Sequence, residues 1–122
     1  MTTITASRAD YGSVAWPQPV PIAPERVIHG APAAETVILQ DSLGHQLGLW
    51  RVSAGEFTTD HPDYVEYIHI VEGTGQLIDD QGTVTDLTAG TTVLMPAGWK
   101  GRWLVTERIT KVYTIISTGD SR

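Results

Sequence analysis

The feature that most constrains this chain is alternation. From Thr36 to Ile116 apolar and polar residues repeat with a period of two, and glycine or proline interrupts them at short intervals. That period belongs to strands, whose successive side chains point to opposite faces. No window carries the roughly 3.6-residue apolar repeat of an amphipathic helix. Strands are expected at about 36–40, 45–53, 64–71, 74–79, 83–87, 92–95, 101–106 and 110–116. Their separators are Asp41-Ser42-Leu43-Gly44, Gly55, Glu72-Gly73, Asp80-Gln81-Gly82, Ala89-Gly90 and Pro96-Ala97-Gly98, each of which contains a glycine that favours a turn. Short strands at close spacing predict an all-β domain with a closed or stacked sheet.

Residues 1–34 read differently. They carry Pro17, Pro19, Pro21, Pro24 and Pro32. Proline fixes its own φ and biases the preceding residue toward extended backbone, so an extended arm is expected rather than a helix. The arm also holds Trp16, Val20, Ile22, Val27 and Ile28, which a solvated tail would not need. Part of it is therefore expected to pack on the barrel or on a partner subunit. The predicted organisation is an arm at 1–34, a barrel at 35–118 and a short tail at 119–122.

Composition narrows the function classes. At 122 residues the chain suits one domain, and its net charge of −6 argues against nucleic acid as a partner. With no cysteine it has neither disulfides nor thiolate metal sites. No apolar run approaches the roughly 20 residues that span a bilayer, and Met1–Thr5 has no basic flank leading into an apolar stretch. The expectation is a cytoplasmic protein with no membrane partner.

Two spaced motifs carry more information. In the first, Gly55 is followed by five residues and His61-Pro62-Asp63, and Glu66 precedes Gly73 with six residues between. In the second, Gly90 is followed by five residues, Pro96-Ala97-Gly98, two residues and then Gly101. With this pattern the stretch from Gly48 to Ile116 resembles the cupin superfamily, whose second motif normally ends in histidine. Four blocks, Gly48–Trp50, Glu66–Gly73, Pro96–Trp103 and Arg108–Tyr113, are similar to small single-domain cupins related to the cupin domain of (S)-ureidoglycine aminohydrolase.

The resemblance implies a jelly-roll barrel, a double-stranded β-helix, with Glu66 pointing inward. It also implies that Trp103, Lys111 and Tyr113 face the cavity. The expected pocket has Glu66, Lys111 and Tyr113 as catalytic groups and Trp50, Ile68 and Trp103 as substrate-binding groups. A carboxylate buried alone is costly, and Lys111 is its natural counter-ion. Strand alternation turns His69 away from Glu66.

A cupin metal site normally uses three histidines and a glutamate. Here His61, Asp63 and Glu66 are the remaining donors, and glycine at position 101 offers no side chain, so no cofactor is expected, with a divalent metal held by His61, Asp63 and Glu66 as the alternative. Three functions stay open. One is an enzyme acting on a small nitrogen-rich or carboxylated metabolite, with Glu66 and Lys111 as its acid–base pair. Another is a non-catalytic ligand-binding or sensor barrel. The third is a structural accessory protein that self-associates, with a homodimer as the expected assembly because small barrels must cover their sheet edges.

Overall fold

The computed structural model describes residues 4–118, which form nine strands and one turn of 3-10 helix. The strands are β1 (Val20–Pro21), β2 (Val27–Gly30), β3 (Ala33–Ser42), β4 (His45–Val52), β5 (Gly55–His61), β6 (Tyr64–Asp79), β7 (Val84–Leu87), β8 (Thr92–Met95) and β9 (Trp99–Ser117). The helical turn spans Pro24–Arg26. No helix among the described residues is long and apolar enough to cross a membrane. The proposed tail at 119–122 lies outside the described residues.

The all-β expectation holds, with corrections in detail. Gly55 is not a separator: it opens β5, where only Phe57 is strongly apolar, so hydrophobic alternation could not reveal the strand. Glu72-Gly73 is not a turn either, because 64–71 and 74–79 join into the single strand β6. Likewise 101–106 and 110–116 join into β9.

These two long strands make the fold. β9 pairs along one side with β6 over its whole length. Along its other side, its first half pairs with β5 and its second half with β4. The register between β6 and β9 shifts at three places between Ile70 and Gly75, which is where both strands bend. Gly73 sits at that bend with φ 101°, and a Cβ there would collide with the Arg108 carbonyl. Only glycine allows the bend to close so tightly. The bend curls one sheet into the two facing halves of a jelly roll, and β7 and β8 complete the β6 side.

Much of the proline-rich segment is part of this sheet. Val20 and Pro21 pair with Ala34 and Ala33 of β3, an edge position that costs proline no ladder bond. β2 pairs with β5 through Val27↔Phe57 and Gly30↔Gly55. Ile22 is buried in the core, and Trp16 lies under the Arg51 guanidinium at 4.2 Å. The arm thus pairs with the outer sides of β3 and β5.

The apolar core occupies the bend end. Val52, Phe57, Ile70, Leu77, Val105 and Ile109 are all buried there in one cluster. Away from the bend, the inward positions of β4, β5, β6 and β9 become polar and aromatic, and the interior opens into a cavity.

Candidate ligand-binding site in the barrel

Alternation sets the lining. β4 turns Gln46 and Trp50 inward, β5 turns Phe57, Thr59 and His61, β6 turns Tyr64 and Glu66, and β9 turns Trp103, Lys111, Tyr113 and Ile115. The arm adds Ile22 and Arg26 from outside the barrel sequence. Together with Thr36 and Asp60 these residues bound a cavity of about 480 Å³.

At its centre is an ion pair. Lys111 Nζ donates to Glu66 Oε2 at 2.6 Å, and both residues are only 5% exposed. The ammonium also lies 4.3 Å from the Trp50 ring centroid, 4.8 Å from that of Trp103 and 5.8 Å from that of Tyr113. Trp50 and Trp103 pack at 5.4 Å between centroids, so the cation is wrapped in π faces. Burial lowers the Lys111 pKa from its usual 10.5, and the Glu66 charge and hydrogen bond offset part of that drop. The result is a lysine held closer to neutrality by its surroundings, in contact with a carboxylate.

Tyr113 has a different partner. Its hydroxyl donates to Gln46 Oε1 at 2.7 Å, and burial raises its pKa, so it remains a neutral phenol. Gly48 makes this geometry possible. It pairs with Tyr113 across the ladder, and a Cβ there would meet the Val37 carbonyl and come within 2.8 Å of the Tyr113 hydroxyl.

His61 completes the polar floor. It is 2% exposed, stacks on Tyr64 at 4.5 Å, and places Nε2 3.6 Å from Glu66 Oε1. That distance is Coulombic contact rather than a hydrogen bond. Desolvation lowers its pKa below 6.5, with the Glu66 charge opposing the drop, so it is neutral at pH 7. Its Nδ1 is buried and has no hydrogen-bond partner among the described residues. Such an atom is costly to leave bare.

The donor set for a cupin metal does not assemble. Asp63 is exposed on the turn between β5 and β6, where its carbonyl accepts from Thr118, so His61, Asp63 and Glu66 do not converge. Among the described residues no three histidine, aspartate or glutamate side chains are grouped to hold a metal ion. Glu66 already faces an ammonium. At position 101, a Cβ would run into the Ile78 carbonyl and lie 2.9 Å from Cη2 of Trp99, so the tryptophan edge fills the room a histidine would need.

Of the residues expected in the pocket, Glu66, Lys111, Tyr113, Trp50 and Trp103 line one cavity. Ile68 does not; it is 1% exposed within the core cluster. His69 faces outward as expected and bonds Thr92 Oγ1 through Nδ1 at 3.0 Å. Sequence reasoning missed Arg26, Gln46, Thr59 and Tyr64. Extending the alternation already used for Trp50 and Glu66 would have found Gln46 and Tyr64. No local signal could have found Arg26, because its place depends on how the arm returns to β5.

Comparison with known proteins gives the fold a context. The model of the EutQ-like cupin domain matches residues 39–113. The Clostridium difficile EutQ protein superposes with a TM-score of 0.64 at 20% identity, covering 73% of this chain and 71% of that one. A protein of unknown function from Pseudomonas syringae pv. tomato reaches a TM-score of 0.74 at 22% identity, over 84% of this chain and 44% of its own length. Ectoine synthase from P. lautus reaches 0.62 at 19% identity, over 70% and 64%. At these identities the likeness is one of fold. No curated protein matches the chain.

Proposed function

We propose that this chain, which belongs to the EutQ-like cupin domain family, binds a small polar metabolite in its barrel, where Glu66 and Lys111 exchange protons with it. The observation that carries the reading is the 2.6 Å Lys111–Glu66 contact at the floor of an aromatic-lined cavity. Such a pair has no need of an opening to a 480 Å³ space if its task is only to hold strands together. A lysine whose pKa is drawn down by burial gives up its proton more readily than an exposed one. Lys111 would donate a proton to charge developing on the ligand and take it back in the reverse direction, with Glu66 holding the amine in place. Trp50 and Trp103 hold the body of the ligand.

The proposed substrate class is a nitrogen-rich or carboxylated metabolite, and we derive no step through a metal. A sensor barrel uses the same cavity without turnover. Ligand-observed NMR with small carboxylates, amides and ureas, against wild type and Glu66→Gln, tests binding. Binding lost in Glu66→Gln supports the site, whereas binding unchanged in that variant refutes it. Product formation by a bound compound separates enzyme from sensor. For the assembly we propose a homodimer through the outward sheet face, where Leu47, Tyr67, Leu94 and Val112 are each partly exposed. A monomer in light scattering at micromolar concentration would contradict it.

A further inference from the structure

Arg26 is tethered at the cavity wall through its Nε, and its Nη edge has no partner among the described residues. Pro24 presets the helical turn that carries it, and the Arg26 amide closes that turn on the Ala23 carbonyl at 2.8 Å. The side chain reaches across to β5, where Nε donates to the Thr58 carbonyl at 2.9 Å. Its guanidinium carbon stands 5.7 Å from the Phe57 ring centroid. With Nε engaged, the outer edge formed by the two Nη groups remains, and it has no hydrogen-bond or ion-pair partner among the described residues. Arg26 lines the same cavity as Lys111 and Glu66, and its charge acts on His61 and Tyr64.

We infer that Arg26 is an anion anchor: the ligand carries a single carboxylate that docks on the free Nη edge, while its body lies on Trp50 and Trp103. This rests on the reading that the cavity binds a small molecule and adds the class of that molecule. The charges facing the cavity choose a monocarboxylate. Lys111 is already neutralised by Glu66 at 2.6 Å, so Arg26 is the one lining cation without a carboxylate within ion-pair reach among the described residues. The remaining lining acid, Asp60, is exposed to solvent and makes no ion pair with it. A dianion such as phosphate would meet Glu66 and Asp60 with one cation to offset it. A carboxylate matches the planar guanidinium edge in two parallel hydrogen bonds. Because Nε already tethers the arginine, less freedom is lost on docking.

The test uses neutral and charged isosteres. Wild type is titrated with benzoate and benzamide, and with propionate and propionamide, following tryptophan fluorescence and the indole N–H resonances of Trp50 and Trp103. Each carboxylate is expected to bind at least tenfold more tightly than its amide. Arg26→Gln should erase that preference, Arg26→Lys should keep part of it, and Arg8→Gln, a remote charge control, should leave it intact. If Arg26→Gln does not fold, salt decides in wild type: rising NaCl should weaken benzoate and leave benzamide unaffected. Equal affinity for acid and amide, or a preference that survives Arg26→Gln, overturns the anchor while leaving the cavity reading in place. Failure of all four compounds to bind overturns both.

Discussion

Removing the carboxylate at the cavity floor tests the physical core of the site. In Glu66→Gln, Lys111 keeps a hydrogen-bond acceptor of the same shape but loses the charge that balances it. The amine is 5% exposed, so water cannot take over. Losing one partner of a buried pair costs about 3–5 kcal/mol. The amide acceptor and the faces of Trp50 and Trp103, at 4.3 and 4.8 Å, retain part of the stabilisation. The expected loss at pH 7 is therefore near the low end, about 3 kcal/mol. For a chain of this size that is a Tm drop on the order of 10 °C.

The pH dependence has a definite sign. Burial lowers the folded pKa of Lys111 below 10.5, so between the two values the unfolded chain binds the extra proton and stability rises with pH. Glutamine removes the influence that holds this pKa up, so the rise begins at lower pH in the variant. The gap between wild type and Glu66→Gln should narrow as pH climbs toward 10.5. Urea unfolding at pH 6, 7, 8 and 9 measures it. The double variant Glu66→Gln/Lys111→Met, which leaves no buried charge, should recover most of the loss. A Glu66→Gln loss under about 1 kcal/mol that does not change with pH would refute the buried charged pair.

Other outcomes follow from neighbouring residues. His61 has a folded pKa below 6.5, so its contribution is complete above pH 6.5 and falls away as pH drops through that value toward the folded pKa. His61→Phe should flatten the wild-type decline in urea stability between pH 7 and pH 5. Gly48→Ala places a methyl against the Val37 carbonyl and the Tyr113 hydroxyl, and thermal melting should show a loss of about 1–3 kcal/mol. Gly101→His should lower the Tm rather than build a metal centre, because the Ile78 carbonyl and Trp99 occupy the space. Titration with zinc or manganese should detect no tight site in that variant, and a stoichiometric high-affinity site would show the packing argument to be mistaken.

How far the sequence could be read differs by element. Period-two alternation located β4, β8 and both halves of β6 and β9, because each has one face in the core. β5 escaped because its inward residues beyond Phe57 are threonine and histidine, chosen for the cavity rather than for hydrophobic burial. Gly73 looked like a turn because glycine at positive φ serves a turn and a bulge equally, and only the collision with the Arg108 carbonyl distinguishes them. The first motif pointed to His61 and Asp63 together, yet β5 ends at His61, so His61 faces inward while Asp63, two residues on, lies on the turn in solvent.

By itself, then, the sequence determined the all-β class and, on the strands that alternation located, which residues share a face. Those are local properties, set by neighbours along one strand. The tertiary structure alone decided that Tyr113 bonds Gln46, that Trp99 fills the place of a missing histidine, and that Arg26 joins the cavity from the arm. Each depends on residues brought together by the bend in β6 and β9 and by the return of the arm to β5. Distances across a curled sheet follow from where it bends and how its strands are registered, and no spacing along one strand contains that information.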